Sequence, residues 1–269
     1  MKKKELKEEE KSTKYIRRRM VISFAVFFVF IGTLLYGWHW LNKQDTDNGA
    51  LKPLRKVLDA NEKVNNVFFS SKHLVKEYPK DKAVKHVRAN GDIGMGDYFD
   101  ASRWKLTVNR HPESTSPDSV VYLKIEEIEA LPSTEITFDF KCIEGWSQIT
   151  NWTGVKFSDF LIHYHLGTHS GKAPDPSHPE DMYKYVGLMT PDSAYYVGID
   201  MKSAMHPQTI LAYEMNDSIL PIDHGYPLRL IIPIKYGVKH IKRIAYMYFS
   251  DTRPKDYWFE RGYDYDAAL

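Results

Sequence analysis

The chain has 269 residues, 43% of them hydrophobic and 14% aromatic, with a formal net charge of +2. That length holds one sizeable domain plus smaller additions, and so balanced a charge offers nucleic acid no overall attracting field. A single cysteine, Cys142, excludes a disulfide scaffold and leaves the redox compartment open.

Residues 1–19 are a charge run that ends in Arg17, Arg18 and Arg19, read as a solvated cytoplasmic tail. Residues 20–41 carry no charge and are rich in Val, Phe, Ile and Leu, enough to span a bilayer as one helix. Trp38 and Trp40 stand at its far end, where interfacial aromatics belong, and the basic side precedes it, so the bulk of the chain is expected outside the cytoplasm. The run is long for a signal peptide and no small-x-small site comes after it, which favours an uncleaved anchor over a cleaved leader. Arg18-Arg19 before the apolar run also matches a loose twin-arginine export signal.

Residues 42–83 read as a stalk that packs partly on the domain, with a short amphipathic helix after Pro53 carrying Leu54, Val57, Leu58 and Val64. The folded domain is expected over 84–269. Strands are predicted at 104–108, 120–125, 134–140, 185–189, 228–232 and 244–249 from alternating or continuous apolar runs. Residues 152–155 predict a turn, 158–166 a helix with Phe160 and Leu161 inward, and 203–211 a further helix. Strands and helices do not alternate regularly, so the predicted class is α+β.

Cys142 comes just after the strand ending at Phe140, and its residues alone leave two readings. One is a small buried hydrophobe. The other is a thiolate serving as nucleophile or soft-metal ligand. His163, His165 and His169 invite a zinc reading, but on a helix the first two point to different sides, which favours ordinary surface histidines.

Three segments are decisive in combination. They are Lys141-Cys142-Ile143-Glu144-Gly145-Trp146 with Trp152-Thr153-Gly154; Leu211 to Asn216 with Asp223-His224-Gly225-Tyr226-Pro227-Leu228-Arg229; and Lys235-Tyr236-Gly237-Val238-Lys239-His240-Ile241-Lys242. In this order, around the only cysteine, they resemble the sulfite-oxidase superfamily of molybdopterin oxidoreductases, over about residues 84–258. Within it the periplasmic methionine-sulfoxide reductase branch is the most similar. The resemblance implies a sulfite-oxidase-type fold of mixed sheets and short helices. It implies a molybdenum–molybdopterin cofactor with Cys142 as the protein's metal ligand, a soft donor suited to that ion. It implies cofactor contacts from Asn90, Thr190, His224, Arg229, His240, Ile241 and Lys242. Glu144, two residues beyond Cys142, is either a catalytic group that moves protons beside the metal or an ordinary surface glutamate. The basic residues 235, 239 and 242 are either a solvated face or part of the phosphate side.

The implied reaction is two-electron oxygen-atom transfer, in the direction of reducing an S-oxide such as methionine sulfoxide. True sulfite oxidases place after their cysteine a run holding an anion-binding arginine. Here that run is Ile143-Glu144-Gly145-Trp146. A sulfite dehydrogenase-like oxidase and a non-catalytic anchored domain that binds pterin or a partner are the alternatives. A chain ending soon after Trp258 leaves out the C-terminal dimerisation domain of sulfite oxidases, so a monomer is expected. One cysteine cannot form a haem-attachment Cys-x-x-Cys-His, so a separate haem or quinone-linked membrane protein is expected to exchange electrons with a domain on the periplasmic side of the inner membrane. The polar insert 168–181 is expected at the mouth of the site.

Overall fold

A computed structural model describes residues 2–96, 99–114 and 116–269. Helix α1 (Lys2–Asn42) is continuous through the N-terminal charge run, which contains no proline or glycine to stop it. Its Ser12–Asn42 portion, whose most apolar 18-residue window has a mean hydropathy of 2.2, is long and apolar enough to cross a membrane. Next comes a hairpin, β1 (Thr46–Asp47) and β2 (Ala50–Leu51), turned by Asn48 and Gly49 with φ of 45° and 77°. Helix α2 (Lys52–Phe68) has Pro53 in its first turn, where the missing N–H costs nothing.

Residues 69–96 hold almost no regular structure, yet hydrogen bonds strap them to the body of the domain. The Tyr78 and Val84 amides donate to the carbonyls of Thr137 and Ile149 at 2.9 and 3.0 Å. The Val75 amide donates to Gln208 Oε1 at 2.8 Å, and the Arg88 amide to Gln148 Oε1 at 2.9 Å.

The remaining elements are β3 (Leu106–Asn109), β4 (Val120–Leu123), α3 (Ile125–Glu129), β5 (Ser133–Lys141), β6 (Ser147–Lys156), α4 (Phe157–His163), β7 (Tyr185–Met189), β8 (Tyr196–Asp200), α5 (Met201–Ala204), β9 (Ile210–Met215), β10 (Ser218–Ile219), β11 (Arg229–Ile231) and β12 (Tyr246–Ser250). One five-stranded sheet runs β4-β3-β12-β7-β8, with only the β3–β12 pair parallel. The other runs β10-β9-β6-β5, with β11 also on β9, and is antiparallel throughout. Mixed sheets with short helices make the class α+β, as the sequence predicts.

The centre of the second sheet is buried on both faces, and period-two alternation makes it so. Val155, Leu211 and Leu230 join the larger core with Leu106, Val108, Leu188 and Phe249 of the first sheet, capped by Phe157, Phe160 and Leu161 of α4. Ile136, Phe138, Trp152, Ala212 and Ile231 form a smaller cluster, against which Val75, Val87 and Phe140 pack.

Two expectations fail. Residues 152–155 are not a turn but lie inside β6. Gly154 marks a close strand approach at a register shift: a Cβ there would sit 2.1 Å from the Leu211 carbonyl oxygen. Residues 203–211 are not a helix. The helix ends at Ala204, Pro207 can donate no helical bond, and the chain extends into β9.

Candidate functional site

Beside the smaller cluster the molecule opens into a cleft of about 970 Å³, open solvent at its mouth included. The cleft is lined by the β5–β6 connection, the end of the strap, the start of β11 and the segment 237–242. Asn90, Cys142, Glu144, His224, Arg229, His240 and Lys242 all line it. Thr190 and Ile241 do not. Thr190 is fully buried, its hydroxyl donating to Asp192 at 2.6 Å and accepting from the Tyr195 amide at 3.1 Å. Ile241 belongs to the larger core.

Cys142 begins the five-residue link between β5 and β6. Its amide donates to the Trp146 carbonyl at 2.9 Å, and its own carbonyl accepts from the Gly145 amide at 3.0 Å. Gly145, at φ 88°, supplies the left-handed step that closes the loop. The cysteine is 7% exposed, and the Asn90 amide lies 3.7 Å from its Sγ. Glu144 points to the more open side. The Trp146 indole N–H donates to it at 3.1 Å, and Arg88, its guanidinium 4.9 Å over the Trp146 ring, approaches it at 4.0 Å. The Trp146 hydrogen bond, then one from the Asn90 side chain and the Arg88 charge, hold its carboxyl below the usual range.

Arg229 faces the cleft because Leu230, its neighbour in the strand, faces the larger core. It is buried, donates to the carbonyls of His224 at 2.9 Å and His240 at 3.2 Å, and lies 4.5 Å over the Trp152 ring. Its Nε has no partner, and no carboxylate pairs with it among the described residues. Burial pushes this guanidinium down to about 9. Lys242 donates to the carbonyls of Gly91 and Asp223 at 2.9 and 2.8 Å. Burial and the Arg229 charge push it down to about 8. The same two causes push His224 down to about 4 and His240 to about 3, so both rings are neutral near pH 7. Both His240 nitrogens are engaged by backbone, at Ile232 N and Lys235 O, and its ring packs edge-on against Phe140 at 4.7 Å. Gly225, at φ 106°, lets the chain pass close enough for a Cβ there to meet the Lys242 Cα at 2.8 Å.

The basic run divides. Only Lys242 lines the cleft. Lys239 is buried against Asp256 at 2.6 Å, and Lys235 against Asp200 at 3.2 Å and Asp266. Neither alternative for the run, solvated or phosphate-facing, describes those two. The insert 168–181 contributes no residue to the cleft. His163, His165 and His169 are exposed, and no group of three potential metal ligands gathers among the described residues. Sequence reading missed Tyr195, Trp258 and Tyr263 as lining residues. The only signal for them is the high aromatic content, since these residues reach the cleft through tertiary packing.

A family profile described as an oxidoreductase molybdopterin binding domain matches residues 94–258. The chain belongs to this family. Three bacterial relatives in it or near it are named for protein-methionine-sulfoxide reduction. A subunit of Azospira oryzae provisionally named YedZ1 is 36% identical over 52% of this chain and 48% of its own. The MsrP catalytic subunit of Campylobacter jejuni is 27% identical over 62% and 55%. That of Burkholderia mallei is 32% identical over 60% and 51%. The chain thus spans about half the length of the curated relatives it matches. Among solved structures, the sulfane dehydrogenase SoxCD of Paracoccus pantotrophus superposes with a TM-score of 0.46 at 18% identity, covering 68% of this chain and 46% of that one, too loosely to add to the assignment.

The cleft fits a molybdopterin. A phosphate-bearing pterin needs a buried cation lacking its own anion, and Arg229 with its unmatched Nε is one. A molybdenum ion accepts a soft thiolate, and Cys142 is the single thiol in the chain.

Proposed function

We propose that this chain is a membrane-anchored molybdopterin oxidoreductase that reduces an S-oxide such as methionine sulfoxide. One observation carries the reading: the only thiol and an uncompensated buried guanidinium line the same cleft. Cys142 would ligate the molybdenum, while Arg229 and Lys242 would hold the phosphate end. Asn90 orients the thiolate by its amide, and neutral His224 and His240 leave the phosphate its cations without adding a third charge. Thr190 and Ile241 act from behind, holding the walls. When bound, the cofactor supplies two-electron oxygen-atom chemistry, which this protein positions and tunes.

Reduction of an S-oxide consumes two electrons and two protons and yields a thioether and water. Glu144, ionised near neutral pH, relays protons to the cleft. It also pairs with Arg88, so no free guanidinium at the mouth awaits an anionic substrate such as sulfite. Trp146, Trp258 and Tyr263 offer aromatic surface to the sulfur and methyl of a methionine side chain. The relatives' names as subunit and catalytic subunit support a separate partner, here a haem or quinone-linked membrane protein delivering electrons on the periplasmic side of the inner membrane. The domain begins near residue 84 in this reading and acts as one copy.

Steady-state rates with reduced viologen and methionine sulfoxide, beside rates with sulfite and ferricyanide, test it. We expect kcat/KM for the S-oxide to exceed that for sulfite by on the order of 100-fold, the range within which pocket chemistry discriminates. The opposite preference would overturn the direction of the reaction.

A further inference from the structure

Helix α2 is amphipathic the wrong way round for a soluble protein. Two of its charged residues, Arg55 and Glu62, are only 3% and 8% exposed, turned onto the domain. Arg55 donates to the carbonyls of Tyr263 at 2.8 Å, Asn48 at 2.9 Å and Phe259 at 3.1 Å, and Glu62 accepts from Arg253 at 2.5 Å. The apolar residues point outward. Val57 is 57% exposed, Val64 53% and Phe68 72%, with Leu54 beside them. At about 100° per residue these four fall within an arc of about 80°, while Lys52, Lys56 and Lys63, all exposed, lie on a different side of the helix. A stripe of exposed apolar side chains marks a surface that meets something other than water.

The tether of α2 decides what that surface meets. Helix α1, long and apolar enough to cross a membrane, ends at Asn42, and α2 begins at Lys52. The short link between them reaches at most about 30 Å even if fully extended, so α2 starts close to any bilayer that α1 crosses. Outward leucine, valines and phenylalanine so tethered suit the interface of that bilayer.

We propose that α2 lies on the membrane surface as an interfacial helix, with Leu54, Val57, Val64 and Phe68 in the headgroup–acyl boundary and its polar face gripping the domain. This rests on the reading of α1 as the anchor. It fixes the orientation of the catalytic cleft, because the inner face of α2 holds the turn that bears Tyr263, a cleft residue. The cleft thereby keeps one attitude towards a membrane-embedded electron donor.

The full chain, reconstituted in vesicles of phosphatidylcholine with phosphatidylglycerol, tests this directly. Val64→Cys and Ile219→Cys each receive a bimane label, Ile219 being a comparably exposed apolar residue on β10. Unsubstituted chain controls for labelling at buried Cys142. Vesicles doped with brominated lipid then quench the label at Val64 at least about threefold more than that at Ile219, as insertion at the interface requires. Adding Val57→Glu to a Phe68→Cys labelled chain lowers the quenching at residue 68 towards the Ile219 level. Equal quenching at residues 64 and 219 in a chain that floats with the vesicles overturns the proposal while leaving the anchor intact. A label shielded only after a membrane protein is added assigns the stripe to a protein interface and overturns it too. A chain that fails to float overturns both the anchor and the placement of α2.

Discussion

Arg229 spends two of its donors on the carbonyls of His224 and His240, rests its planar face on Trp152, and leaves Nε unmatched in a buried setting. A fold gains nothing by burying a lone positive charge. In Arg229→Met the relief of that charge offsets the two lost hydrogen bonds, each worth about 1 kcal/mol. The cofactor-free variant is therefore expected to melt within a few degrees of wild type, while its pterin content falls about tenfold or more, the loss of one strong charge-assisted contact. Differential scanning calorimetry and pterin fluorescence after denaturation measure the two. A large drop in Tm with pterin retained would make Arg229 a structural residue. Arg229 was legible in the sequence through the resemblance carried by residues 223–229, and an arginine heading a run as apolar as Leu230-Ile231-Ile232 needs a partner. The roles of Lys235 and Lys239 were not, because their acids, Asp200, Asp266 and Asp256, lie far along the chain.

At the scale of elements, Cys142 is placed by a hairpin whose link turns on Gly145. A Cβ at that glycine would meet nothing within 4 Å, so only the backbone resists substitution. Gly145→Ala is expected to cost about 1–2 kcal/mol, the penalty of a left-handed alanine, with Gly145→Asn costing less. Urea denaturation reads the difference. Costs for alanine and asparagine that are equal and near zero would show that the loop readily adopts another conformation. The strands were legible wherever apolar residues alternate or run on, as in β5, β7 and β11. Residues 152–155 were misread because a glycine serves both turns and close strand pairs, and only the partner strand β9 distinguishes them. The strap bearing Arg88 and Asn90 has no periodicity to read. Its order comes from single hydrogen bonds to β5, β6 and Gln208.

For the whole molecule, the packing that closes the two sheets also buries histidines in neutral form. His206, His224 and His240 are all held below 6.5, chiefly by burial. The folded chain thus binds fewer protons than the unfolded chain once pH drops below about 6.5. The stability these groups supply is complete above that pH and is lost as pH falls towards about 4 for His224 and about 3 for His240. Glu62 and Asp264, raised by burial, act in the opposite sense near their own lower pKa range. His206 lies outside the cleft, its ring accepting from the Gln208 amide at 3.3 Å and contacting the His73 carbonyl at 3.3 Å. Its neutral replacement His206→Gln is expected to flatten the fall in stability between pH 6.5 and 5 by up to about 1.4 kcal/mol per pH unit, one proton's worth. Urea midpoints across that range check it. An unchanged slope would mean that His206 titrates normally in the fold.

Cys142 is proposed to hold a molybdenum in the cleft, and the sulfur shell of that metal is the most direct measurement. Full-length chain and Cys142→Ser, both made where cofactor synthesis is intact, are assayed for metal and studied by X-ray absorption at the molybdenum edge. The wild type should hold about one molybdenum per chain, with one more sulfur neighbour than the serine variant, since the soft thiolate is the protein's sole contribution to the shell. A folded wild-type chain without molybdenum, or a serine variant with an unchanged sulfur shell, would contradict it.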